Sequence, residues 1–291
     1  MISLGDFRIA RAEEHQGPFV RPENFFPDWD PAVLDEARDW IGPAFDHASG
    51  QMVLSFHAFI LRTGRHTILV DTCMGNDKER PLRAVGHQRK GDFLATLAAA
   101  GAKPEEVDFV MCTHLHWDHV GWNTRLVDGR WVPTFPNARY IMARREYEHM
   151  DAQHARGEKG MHGTSFIDSV QPVVRAEKAR LVDDDYAVED GVWLEACPGH
   201  TPGNVVINLR SQGARGVFSG DVLHSPLQLA RPEWSSHACF DAVLSRSSRR
   251  RFIEQHADSG NLVMPAHFCA PSAGHIVRRG KAYGFDPIQS G

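Results

Sequence analysis

Short runs of branched and aromatic residues, broken by glycine-bearing turns, recur from residue 52 onward. They predict a strand-rich chain with helices between the strands. Met52 to Thr63 carries Val53, Leu54, Phe56, Phe59, Ile60 and Leu61; after Gly64-Arg65-His66, Thr67 to Asp71 carries Ile68-Leu69-Val70. Two such runs around a short turn predict a hairpin. Val107 to Cys112 and Arg139 to Ala143 read as further strands, with helices over Asp92–Ala100, which Gly101 stops, and Arg144–His154. Leu181 to Leu194 reads as two short strands around Glu189-Asp190-Gly191, followed by strands at 205–209 and 216–219. The helix expected over Phe240–Ala257 bears Arg246, Arg249, Arg250 and Arg251, which read as a solvated face.

Before this patterned region, residues 1–50 read as an irregular arm with one short helix from Asp30-Pro31 to about Trp40. Phe19, Phe25, Phe26 and Trp29 make the arm too apolar to stay in water. It is expected to cover the mouth of the site, to make a homodimer contact, or to cap its own sheet. Residues 74–91 are polar and predict a mobile loop near the site; 157–165 holds three glycines and predicts a flexible insertion. The chain therefore divides into an arm, 1–50, and one patterned domain, 51–291.

Composition narrows the function classes. Hydrophobic content of 42% and charge of 24% fit a globular chain, and a net charge of −5 gives no basic face for nucleic acid. No apolar run reaches the ~20 residues of a membrane span. Met1 to Arg8 lacks the pattern of a secretory signal, so a cytoplasmic location and a small-molecule substrate are the expectation. Cys73, Cys112, Cys197, Cys239 and Cys269 form no C-x-x-C pair. Cys112 and Cys197 adjoin the stretches discussed next and read as small buried hydrophobes rather than ligands.

The chemistry is concentrated in Thr113-His114-Leu115-His116-Trp117-Asp118-His119, where three imidazoles and a carboxylate fall within six consecutive residues at a strand end. Histidine is the commonest metal ligand, and carboxylate is its companion for hard or borderline dications. On an extended strand end His114 and His116 point the same way. A turn then brings Asp118 and His119 to a neighbouring point. His57, His66, His149, His154 and His162 stand outside any such pattern and receive no metal role.

His-X-His-X-Asp-His after an apolar strand resembles the signature of the metallo-β-lactamase superfamily. Three later blocks follow in that family's order: Pro198-Gly199-His200-Thr201-Pro202-Gly203, Val217-Phe218-Ser219-Gly220-Asp221 and Leu262-Val263-Met264-Pro265-Ala266-His267. The resemblance covers roughly residues 50 to 275. It implies an α+β fold, a four-layer αββα sandwich of two mixed β-sheets. It implies two divalent metal ions, zinc foremost, with iron, manganese or cobalt as alternatives. His114, His116 and His200 would hold one, Asp118, His119 and His267 the other, and Asp221 would bridge them. Asp71 would orient a ligand by a hydrogen bond. A hydroxide held by the two metals would be the nucleophile, with Asp118 orienting it and moving its proton.

The branch is read from departures. Asp221 argues against the secreted β-lactam-hydrolysing enzymes, and the short stretch after His267 against glyoxalase II. The short Asp221–His267 interval argues against RNA-processing relatives, and His116 against flavodiiron proteins. What remains resembles the quorum-sensing lactonases and the methyl parathion hydrolase type. Acyl-homoserine lactonases carry tyrosine three residues after the bridging aspartate; this chain has His224, which can still donate to an oxyanion. The expected activity is hydrolysis of small esters or lactones, with organophosphate triesters as a side activity and Asp118 and His224 as catalytic residues. Amide or β-lactam hydrolysis and a mononuclear iron oxygenase acting on sulfur compounds are the competing readings.

Overall fold

The computed structural model describes residues 1–158 and 163–289. His162 and the middle of the expected insertion therefore lie outside the described residues. In chain order the strands begin with β1 Ile2–Leu4, β2 Phe7–Val20, β3 Phe45–Asp46, β4 Gln51–Arg62, β5 Thr67–Val70 and β6 Phe109–Met111. They continue with β7 Thr124–Val127, β8 Arg130–Pro133, β9 Arg139–Ala143, β10 Ala179–Val182, β11 Ala187–Glu189 and β12 Val192–Ala196. The last are β13 Val205–Ser211, β14 Ala214–Gly220, β15 Leu262–Pro265, β16 Gly274–Arg279 and β17 Ala282–Pro287. The α-helices are α1 Ala32–Glu36, α2 Phe93–Ala99, α3 Arg144–Ala155, α4 Gly163–Ser165, α5 Gln171–Arg175, α6 Leu227–Ala230 and α7 Ala242–His256. No described helix is long and apolar enough to cross a membrane.

Two large mixed sheets result. One has eight strands in the order β1-β2-β4-β5-β6-β9-β10, with β3 on β4; the other has seven in the order β11 to β17. By compactness the chain forms two units, residues 1–14 with 56–186, and residues 15–55 with 187–291. In the first, β6 runs parallel to both β5 and β9, so its carboxyl end is the natural place for ligands. Its core gathers Ile60, Leu69, Val110, Tyr140 and Phe166 around Phe93 and Leu97 of α2. In the second, β14 and β15 are parallel, and Val217, Val263 and Ile276 pack with Phe252 and Ile253 of α7.

The strands expected from the pattern form, and the hairpin 52–71 closes with Phe59 opposite Val70. Four differences have physical causes. First, residues 2–20 are not irregular: β2 is a strand whose Phe7, Ile9 and Ala12 face inward, while Arg8, Arg11 and Glu13 break the apolar alternation. Second, the helix after Pro31 stops at Glu36. Third, residues 74–91, expected to form a polar mobile loop, bury two of their charges. Lys78 and Arg80 are buried, Arg80 forks onto Asp168 at 2.7 and 2.9 Å, and Lys78 Nζ donates to Thr124 Oγ1 at 2.6 Å. Fourth, α7 does not present all its arginines to water: Arg249 is fully buried and donates to Val222 O, Pro232 O and Ser245 Oγ at 2.9, 3.0 and 2.9 Å.

Candidate metal centre

The first unit delivers four of the sequence-selected residues from one loop. After β6, the backbone turns through Thr113 to His119, and His119 N–H closes the turn onto His116 O at 3.0 Å. Asp71, at the end of β5 with φ 56°, supports this turn. Its carboxylate accepts from Thr113 N–H and Thr113 Oγ1–H, both at 2.8 Å, and from His119 Nδ1 at 2.8 Å. Since the Thr113 hydroxyl spends its one proton on Asp71, it accepts from His114 Nδ1, 3.1 Å away. Both rings are thereby held with Nδ1 protonated, which leaves each Nε2 lone pair for a cation. The His114 ring centroid lies 4.5 Å from that of His116 and 4.1 Å from that of His119. Leu115 N–H donates to Glu146 Oε1 at 3.2 Å, so α3 also holds the loop.

The second unit delivers its residues from three loops. His200 follows β12 in a tight turn closed by Gly199 N–H on Thr201 O at 2.9 Å. A Cβ at Gly199 would meet the Ser245 backbone nitrogen at 2.2 Å, and φ there is +127°, so glycine alone lets the turn lie on the start of α7. Asp221 follows β14, and His267 follows β15. His200 Nε2 is 3.1 Å from Asp221 Oδ2, and His267 Nε2 is 3.1 Å from Asp221 Oδ1. His267 Nδ1 donates to Ser55 O at 3.0 Å, again directing Nε2 inward. His200 Nδ1 faces Cys239 Sγ at 3.6 Å.

His224 joins this second set. Its Nε2 is 3.3 Å from Asp221 Oδ2, and its ring stacks on His267 with centroids 5.9 Å apart and planes 5° apart. Burial pushes its pKa down to about 4 despite the pull of Asp221, so the ring is neutral at pH 7. Gln228 Oε1 accepts from His224 N–H at 2.7 Å and fixes its backbone. Phe25 meets the His224 ring edge-on at 5.2 Å. Phe26 and Trp234 are core residues with 0% and 3% exposure.

Two groups of side chains could each hold an ion: His114, His116, His200 and Asp221, and then Asp118, His119 and His267. Within each group the ligand atoms lie within 4.8 Å of one another. The donor set is five imidazoles and two carboxylates without a thiolate, and the Nδ1 partners direct His114, His119 and His267 through Nε2. That chemistry fits a borderline divalent cation. Cys112 and Cys197 are buried, which pushes both thiols up, Cys197 to about 12, as befits small apolar packing. His57, His66, His149 and His154 belong to neither group. Thr113, Glu146 and Cys239 were missed as supports. Only Thr113 carries a local signal, because it adjoins the motif.

A family model described as "Metallo-beta-lactamase superfamily" matches residues 54–267. The chain belongs to the metallo-β-lactamase superfamily. Among curated members of that superfamily, an N-acyl homoserine lactonase of a Bacillus species is 32% identical over 216 residues, 67% of this chain and 74% of that protein. One of Bacillus cereus is 29% identical over 213 residues, with the same two coverages of 67% and 74%. Among solved structures, the hydrolase AbOPH aligns with a TM-score of 0.81 at 24% identity, covering 100% of this chain and 97% of that one. AidC, described as a dizinc quorum-quenching lactonase, aligns with a TM-score of 0.77 at 20% identity, covering 99% and 97%. These structures share the superfamily fold, and the two mixed sheets are those the sequence motifs imply.

Proposed function

We propose that the chain is a dinuclear metal-dependent hydrolase that opens small lactone or ester substrates, with N-acyl homoserine lactones the first class to test. The observation that carries this reading is the sorting of seven His and Asp residues into two adjacent-ligand groups in a chain whose relatives are lactonases. His114, His116 and His200 would hold one cation and Asp118, His119 and His267 the other, and Asp221, 3.1 Å from both His200 and His267, would serve both. Two bound divalent cations supply an acidified water and a Lewis acid for the scissile carbonyl. Zinc suits the nitrogen and oxygen donors, and AidC is described as dizinc; iron, manganese or cobalt would find the same atoms.

The residues do the rest. Asp118 is half-buried where its neighbours are buried, so its carboxylate can take a proton from the attacking water and return it to the ring oxygen that leaves. His224, neutral and with its backbone held by Gln228, would donate a ring N–H to the oxygen on which negative charge develops. Phe25, against His224, forms an apolar wall, which supports the lid role of the N-terminal arm over the homodimer contact. The five cysteines are all free, which supports a reducing, cytoplasmic location.

A hydrolysis screen with an acyl homoserine lactone, an aryl ester, a phosphotriester and a β-lactam tests the substrate class. Lactone or ester turnover that a chelator abolishes is the expected result; turnover of the β-lactam alone overturns it. His224→Phe should keep its metals and lose about a hundred-fold in turnover, the cost of one oxyanion donor.

A further inference from the structure

Glu14 sits in β2, far in sequence from any metal motif, with a side chain that is 1% exposed. Its Oε2 accepts from Met74 N–H at 2.7 Å, and its Oε1 from Gly75 N–H at 3.2 Å and Trp122 Nε1–H at 2.7 Å. Arg89 Nε lies at 4.0 Å, too far for a tight pair. Burying a carboxylate is costly unless its acceptor capacity is used. Here three donors from two separate stretches use it.

Those stretches are spliced together. Thr72 N–H donates to His119 O at 2.7 Å, Gly121 N–H to Cys73 O at 2.7 Å, and Trp122 N–H to Thr72 O at 2.8 Å. Thr72 Oγ1 adds a bond to Asn123 Oδ1 at 3.0 Å. The approach is so close that a Cβ at Gly121 would fall 1.9 Å from the Met74 carbonyl carbon. One strand of the splice begins at Asp71 and the other at His119, the two residues joined at 2.8 Å. Glu14 clamps its far end.

We propose that Glu14 is a positioning residue for the cation that His119 holds, acting through the splice of residues 71–75 with 119–123. The assignment rests on the dinuclear reading above. A carboxylate is required because all three partners are donors; the amide nitrogen of a glutamine would face an N–H.

The test is cobalt(II) loading of the full chain, followed by elemental analysis, the visible ligand-field spectrum and competition with a chelator. Glu14→Gln is expected to keep its far-UV circular dichroism and to melt at a lower temperature without metal, since its amide faces an N–H. One of its two cobalt ions should bind about ten-fold more weakly, while the other is unchanged. Trp122→Phe, which deletes a single donor, should shift the same ion by less and provides the readout if Glu14→Gln does not fold. Both ions held with wild-type affinity in the folded variants overturns the assignment, whatever happens to the melting temperature. A wild-type chain that takes up fewer than two cobalt ions overturns the dinuclear reading itself, and this assignment with it.

Discussion

The two units present their candidate metal ligands in opposite ways. In the first unit His114, His116, Asp118 and His119 come from one loop, and local bonds hold it: Asp71 grips Thr113 and His119, and His119 N–H returns to His116 O. In the second, His200, Asp221, His224 and His267 come from the ends of β12, β14 and β15, and their spacing is set by sheet register and by α7. Arg249 of α7 spans that half, bonding Val222 O beside Asp221 and Pro232 O beyond His224. A contiguous site can thus be oriented by a single carboxylate, whereas a dispersed one relies on tertiary packing. Damage to supports should therefore read out as metal affinity in one half and as stability in the other.

The largest effects fall on the ligands themselves. Asp221→Ala and His116→Ala should each lose metal and nearly all hydrolysis, more than the about hundred-fold that outer partners command. Metal content and steady-state rates check this, and a variant that retains both would break the dinuclear assignment. The contrast between halves is sharpened by the next pair. Asp71→Asn cannot accept from three donors, so it should weaken metal binding about ten- to a hundred-fold with a small change in melting temperature. Arg249→Met strands two buried carbonyls and should cost about 2–4 kcal/mol in denaturant unfolding, with metal affinity in the surviving folded chain nearly unchanged. Swapped outcomes would dismantle the comparison.

The last test, read as a pH dependence, concerns Lys78 in the first unit. Burial lowers its pKa from 10.5 to about 7, against the pull of Asp168 and with the push of Arg80. The unfolded chain then binds more protons than the folded one between about pH 7 and about pH 10.5, so this group makes stability rise with pH across that window. Lys78→Met lacks that term. The stability difference should move in favour of the wild type from pH 7 to pH 10, as read from urea midpoints; a constant difference would show that Lys78 keeps its proton.

Much of the strand pattern and all four metal motifs were legible because apolar runs and ligand spacing are local signals. The hairpin 52–71 and β9 are examples. β2 was hidden because Arg8, Arg11 and Glu13 interrupt its apolar residues, and its buried positions include only Phe7, Ile9 and Ala12 among strong or small apolar residues. The β7–β8 hairpin carries a local turn signal in Asp128-Gly129, whereas the strands of the β16–β17 hairpin mix His275, Arg278 and Arg279 with their apolar positions. Arg249 was read as part of a solvated face and residues 74–91, with Lys78 and Arg80, as a polar mobile loop; sequence cannot reveal that Asp168 and three backbone or hydroxyl acceptors wait to bury these charges. Glu14 and Glu146 were illegible for the same reason: their partners are distant in the chain and mostly backbone amides, which carry no residue identity.

The most direct test of the central claim is elemental analysis of the purified chain, coupled to hydrolysis of an N-acyl homoserine lactone before and after chelation. Two divalent metal ions per chain, with turnover lost on chelation and restored by zinc, is the predicted result. A single iron per chain with no hydrolysis would contradict it.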